Sequence, residues 1–225
     1  MKRSIKTLLA ALVVSLCLVA PVLAGPFEDG LAAWERGEHL KALELWQPLE
    51  DQSRAALERG DNAIALRITR RLAELGIPSS QRTLGMMYEI GVGISKSDAE
   101  AVKWYRKAAE SGLADAQKRL AHMHYSGRGV PQDYAKAVKW YRRAAEQGNA
   151  MAQYNLSLRY ANGEGLPQDF TQAHKWANLA ASRYSANETE LRDKAVKNRE
   201  TIAKKMTPAQ IAEAQRLARE WKPKK

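Results

Sequence analysis

Two close histidines, a scatter of serines and acids, paired glycines and a ladder of lysines are the residues that could carry chemistry here. His122 and His124 stand two apart. Helical side chains at that spacing point to different faces, so a shared metal would need a spacing of three or four, or a third ligand nearby. Neither is present, and no metal is assigned. His124 shares a column with Tyr88 and Tyr160, the edge of a core; His122 falls off that column and reads as a surface residue. No serine lies in a nucleophile elbow or a Ser-x-x-Lys setting. Gly127-Arg-Gly129 and Gly163-Glu-Gly165 look like fragments of a phosphate loop, but they lack a preceding strand and recur as turns. Glu28 and Asp29 suit the first turn of a helix, where negative charge meets the dipole. These residues argue against an enzyme, and no catalytic residue or cofactor is assigned.

The basic residues are more numerous. Lys103, Lys139 and Lys175 repeat at one interval, with Arg106 and Arg142 beside them, in a chain of 36 Lys+Arg against 25 Asp+Glu. They read as a solvated outer face. Its functional use would be attraction to an acidic surface or polysaccharide, an anionic phospholipid or an acidic protein.

The elements that must position these residues come from the rest of the chain. With 225 residues, 45% hydrophobic and 27% charged, it can bury a real core. A mean hydropathy of −0.50 excludes a polytopic membrane protein. A single cysteine excludes a disulfide framework and a zinc site built on several thiolates. Residues 1–24 read as a cleaved signal peptide: Lys2, Arg3 and Lys6 precede an apolar run from Leu8 to Val19, and Val22-Leu23-Ala24 supplies the small residues before a cut at Gly25. The run is short for a membrane span, so no stable span is expected after cleavage. Cleavage removes Cys17, and a thiol-free chain suits an oxidising compartment. The expected address is periplasmic or secreted, which disfavours nucleic acid as a partner.

Internal repetition decides the fold. Trp104, Trp140 and Trp176 are 36 apart, and so are Gln81, Gln117 and Gln153; Leu84, Leu120 and Leu156; and Gly91, Gly127 and Gly163. Ala101, Ala137, Ala173 and Ala108, Ala144, Ala180 keep the same interval, as do Gly93, Gly129 and Gly165. Three units tile 77–112, 113–148 and 149–184. In each, a first helix buries the face that in the second unit carries Gln117, Leu120, Ala121 and His124. Paired glycines then turn the chain, Asp133 is placed to cap the next start, and a second helix carries alanines with a tryptophan expected to fill the gap between units. Glu35-Arg-Gly37 with Ala42-Leu43 recurs 23 residues on as Glu58-Arg-Gly60 with Ala65-Leu66, which predicts two shorter hairpins near 27–49 and 51–75. One charged helix is expected over 187–205. Thr207-Pro208 starts a last helix with Ile211, Ala214, Leu217 and Ala218 inward, followed by a frayed basic tail, Lys222 to Lys225. The domains are therefore a signal (1–24), N-terminal capping hairpins (25–76), the array (77–184) and C-terminal capping helices (185–225).

The run from Ala116 to Gly148, with His-Met-His-Tyr-Ser-Gly-Arg-Gly-Val-Pro-Gln-Asp at its centre, resembles a Sel-1-like repeat, a relative of the tetratricopeptide repeat. The first unit departs from it with Ser95-Lys-Ser97 in place of Pro-Gln-Asp, and the third lacks its closing glycine after Ser182-Arg-Tyr184. The resemblance implies an all-α solenoid of helix-turn-helix repeats that acts as a scaffold for another envelope protein or an extended peptide. It also implies that the first helix of each unit lines the concave groove. That phase puts Arg82, Met86 and Glu89 in the groove from the first unit, Asp115, Lys118, His122 and Tyr125 from the second, and Met151, Tyr154 and Leu158 from the third. The mixture of apolar, aromatic and basic groups suits an interaction surface. The alternatives are a cell-wall- or β-lactam-binding or -hydrolysing enzyme, and a scaffold for envelope polysaccharide export or signalling.

Overall fold

The computed structural model describes residues 24–185 and 187–224. The signal-peptide reading of 1–24 lies, but for the backbone of Ala24, outside them. The described residues form eleven α-helices and divide after Ile68 into two compact units.

The first unit holds α1 (Ala24–Glu35), α2 (His39–Arg59) and the start of α3 (Asn62–Glu74). Trp46, 1% exposed, is its centre: its ring lies 5.8 Å from Trp34 and 6.5 Å from Phe27, and its Nε1–H donates to the Phe27 carbonyl at 3.3 Å. A side chain on Gly30 would run into that indole. The two hairpins expected over 27–49 and 51–75 are not formed. Instead α2 runs unbroken for 21 residues, through Pro48, because no glycine stands between Gly37 and Gly60 to end it. The 23-residue recurrence is still physical. Gly37 and Gly60 both adopt φ +80°, so it marks the turns that end α1 and α2.

In the second unit three helix pairs follow one another: α4 (Pro78–Ile90) with α5 (Asp98–Glu110), α6 (Ala114–Ser126) with α7 (Tyr134–Glu146), and α8 (Ala150–Asn162) with α9 (Phe170–Arg183). Each second helix packs on the first helix of the next pair, and α9 carries α10 (Thr189–Ala203) and α11 (Pro208–Glu220). This is the expected α-solenoid. The glutamine column ties the units together. Gln81, Gln117 and Gln153 each donate from Nε2 to the carbonyl eight residues back, at Ala73, Ala109 and Ala145 (3.2, 3.1 and 3.0 Å). The capping column holds throughout: Ser97, Asp133 and Asp169 accept from the backbone N–H three residues on. The first unit's Ser95-Lys-Ser97 therefore keeps the function of the motif it replaces. The second glycine of the last two pairs has a further duty. A Cβ on Gly129 would sit 2.3 Å from the Asp98 carbonyl oxygen, and one on Gly165 2.4 Å from the Tyr134 carbonyl, so these turns touch the preceding unit's second helix backbone to backbone.

The tryptophan column is not the buried one. Tyr105 and Tyr141, one residue further along, are 0% and 1% exposed, whereas Trp104 and Trp140 are half-buried, with Lys107 and Arg143 over their rings at 4.0 and 4.7 Å. Trp140 does pack against the cores of both neighbouring units. Trp176 is the most buried of the three at 5%. Its indole meets Trp221 at 6.2 Å, and Arg183 lies 4.4 Å over Trp221. The basic tail is also held in place, as far as Lys224. The Lys224 backbone N–H donates to the Glu146 carbonyl, and its Nζ meets the Glu146 carboxylate, both at 2.8 Å. Thr207 and Gln210 form a reciprocal capping box that starts α11, which buries Ala214 and Ala218.

Candidate partner-binding surface

A cleft of about 350 Å³ runs across α4, α6 and α8 of the second unit. Glu89 comes from α4, Lys118, Arg119 and His122 from α6, and Met151 and Asn155 from α8; Tyr141 reaches it from α7. The helices position these groups by phase. Leu84, Leu120 and Leu156 are each fully buried, and the cleft residues lie on the helix face beside that stripe.

Of the ten predicted groove residues the cleft brings together Glu89, Lys118, His122 and Met151. Arg82 and Leu158 are half-buried on their helices and do not line it. Asp115 is exposed, accepting from Lys118 at 3.1 Å and from Asn149 at 3.0 Å. Burial works against its charge, but those partners outweigh it and hold the carboxyl below the usual range. Met86 packs on the core around Tyr105 and Leu120. Tyr125 stacks on Tyr134 at 5.4 Å with the Arg159 guanidinium 4.0 Å from its ring. Tyr154 packs against Ala180, Tyr184 and Ala195. Tyr125 and Tyr154 are therefore committed to packing.

Sequence reasoning missed the ionic network at one wall. Glu89, with a side chain only 13% exposed, accepts from Tyr105 Oη at 2.6 Å, from Arg119 at 3.2 Å and from Arg128 at 3.1 Å. Arg128 also grips Asp98 through two nitrogens, at 2.7 and 3.2 Å. That grip holds the Asp98 carboxyl below its ordinary range and raises the guanidinium. Burial, then the bond to Glu89, pushes the Tyr105 phenol up. His122 is exposed, yet partial desolvation and the charge of Arg128 lower its imidazole. The signal for this network was available in the columns. One repeat on, Glu89, Asp98 and Arg128 become Tyr125, Tyr134 and Glu164, a change of chemistry among otherwise matched positions.

The opposite, second-helix side carries the basic ladder. Lys103, Arg106, Lys139 and Arg142 are exposed, and Lys103 pairs with Glu100. A shallow depression of about 450 Å³ there is bounded by Lys139, Arg142 and Arg143 with Leu166 and Pro167. Lys175 is half-buried, and burial lowers its ammonium. Among the described residues no group of three or more His, Cys, Asp or Glu is placed to share a metal, and no helix is long and apolar enough to cross a membrane.

Residues 78–113, 114–149 and 150–185 match the Sel1 repeat, one residue later than the tiling read from the tryptophans. No curated protein matches the chain. Among solved structures it is similar to c5321, a protective antigen present in uropathogenic Escherichia coli strains displaying an SLR fold. The two are 30% identical, with a TM-score of 0.65 over 87% of this chain and 44% of that one. The chain thus spans less than half of that protein. It is also similar to a Sel1 repeat protein from Oxalobacter formigenes, at 24% identity and a TM-score of 0.59 over 87% of this chain and 96% of that one, which supports the fold alone.

Proposed function

We propose that this chain, which belongs to the Sel1 repeat family, is a non-catalytic exported scaffold that holds another envelope protein, or an extended peptide of it, in the cleft across α4, α6 and α8. The observation that carries the reading is the contrast between constant and variable positions. The repeat spends its glutamine, alanine, leucine and glycine columns on its own packing, whereas the cleft positions differ from unit to unit: Lys118 becomes Tyr154, Arg119 becomes Asn155 and His122 becomes Leu158. A fixed frame with a chosen lining is the arrangement of a recognition surface. Export is supported by the signal-like leader and by the similarity to a protective antigen.

Two measurements test this reading. Intact mass of the protein recovered from the periplasm should start at Gly25; retention of residues 1–24 in the envelope fraction would overturn the address. A photo-reactive residue introduced at His122 should give a discrete adduct in living cells, and the same group at Lys139 should not. Adducts only from Lys139 would move the site to the basic ladder. Turnover of nitrocefin or muropeptides well above buffer would instead restore the enzymatic alternative.

A further inference from the structure

The repeat supplies its own template for what the cleft takes. In the first unit the buried Tyr105 donates its hydroxyl to Glu89 at 2.6 Å, and Arg119 supports the same carboxylate oxygen at 3.2 Å. One repeat on, Tyr105, Glu89 and Arg119 become Tyr141, Tyr125 and Asn155. The donor is kept and the carboxylate is lost. Tyr141 is 1% exposed as a residue, and its hydroxyl opens onto the cleft that it lines. The hydroxyl is thus free to donate to an acceptor that enters the cleft, as Tyr105 donates to Glu89. Tyr125 cannot serve as the lost acceptor did, since its ring is held between Tyr134 and the Arg159 guanidinium. The surroundings favour an anion. The Arg159 guanidinium, which pairs with Glu164 at 2.8 Å, acts on Tyr141, and its buried Nε–H has no partner. Asn155 spends one amide hydrogen on the Met151 carbonyl at 2.9 Å and keeps the other. Lys118, Arg119 and His122 also line the cleft, beside the Glu89 carboxylate that Arg119 binds at 3.2 Å.

We propose that this cleft binds a carboxylate, which takes at Tyr141 the place that Glu89 holds at Tyr105. The inference rests on the cleft being the recognition surface and names the group that surface reads. The carboxylate comes either from an acidic side chain or from the chain terminus of a bound peptide, and the geometry of the donors is the same for both.

The test is an NMR titration of the isotope-labelled protein with three capped tripeptides: acetyl-Gly-Gly-Gly with a free terminus, acetyl-Gly-Asp-Gly-amide and acetyl-Gly-Asn-Gly-amide. At least one carboxylate-bearing peptide should shift the signals of His122, Tyr141 and Asn155 in a saturable way and bind at least tenfold more tightly than the asparagine peptide. Preference for the free terminus or for the aspartate identifies the source. Tyr141→Phe, which keeps the ring, should weaken the carboxylate peptide at least fivefold. Tyr125→Glu should supply the missing acceptor internally and abolish the preference; if it melts early, Tyr141→Phe decides alone. Equal binding of all three peptides, or no effect of Tyr141→Phe, overturns the carboxylate subsite while leaving the cleft as a peptide groove. If no peptide perturbs any cleft residue, the subsite and the groove reading fall together.

Discussion

Single residues carry two expectations about stability. Tyr141 is fully buried between units and Trp140 is half-buried under Arg143, so Tyr141→Ala should cost about 3–5 kcal/mol and Trp140→Ala clearly less. Urea midpoints in the reverse order would show that the tyrosine column is not the core. The tryptophan column stood out in the sequence because all three members are identical, whereas the tyrosine column ends in Ala177. Both columns lie one turn from the alanines, at spacings of three and four, so periodicity alone does not separate them. Charge does: Lys107 and Arg143 follow Trp104 and Trp140 by three and mark an edge that water reaches, where Trp176 is followed by Leu179. The second expectation concerns pH. His124 and His174 are buried, 6% and 4% exposed; burial lowers both imidazoles, with Lys136 and Arg106 adding to it at His124, where Asp133 opposes, and Arg199 adding at His174. A folded-state pKa below the ordinary 6.5 means that the unfolded chain takes up protons first as pH falls. Their contribution is therefore complete above 6.5 and is lost progressively below it. The urea midpoint should drop from pH 7.5 to 5.5, and drop less in His124→Phe with His174→Phe. An unchanged drop in that double variant would assign the pH dependence to other groups.

At the scale of helices and turns, the fold was legible wherever a local signal was chemical. Asp133 and Thr207 were identified as caps from type and position, and both accept the expected backbone N–H. Asp133→Ala should cost about 1 kcal/mol. The glycine pairs were legible as turns, but their close approach to the preceding unit was not, because sequence spacing does not report which backbones meet. That difference is measurable. Gly163 and Gly165 both have positive φ, yet a Cβ on Gly163 meets nothing closer than 3.5 Å. Gly163→Ala should cost about 1–2 kcal/mol for the left-handed backbone alone. Gly165→Ala should cost about 2–4 kcal/mol, because the turn must also back away from Tyr134. Equal losses by thermal denaturation would mean that the inter-unit contact is slack. The one helix misread, α2, shows the converse. A recurrence of turn residues marked real turns, but the distance between them was filled by one helix because no glycine stands between Gly37 and Gly60 to end it.

For the whole molecule, the array was legible because repetition averages out the local ambiguity of any one unit, and the ends were not because they occur once. The tail shows this most plainly: Lys224 closes onto Glu146 across 78 residues, a pairing no local pattern announces. The cleft was half legible for the same reason. Helix phase located Glu89, Lys118, His122 and Met151, but Tyr141 enters from the other helix of its pair and Tyr154 is drawn into the C-terminal cluster. The central claim is that the lining of the α4, α6 and α8 cleft, not the basic ladder, holds the partner. Its most direct test is the affinity of the cross-linked partner, once purified, for two charge-altered variants of equal melting temperature. Lys118→Glu with His122→Ala should weaken binding at least tenfold, about 1.4 kcal/mol, while Lys103→Glu with Lys139→Glu leaves it within twofold. Full binding by the first variant with loss in the second would contradict the account and place the site on the outer face.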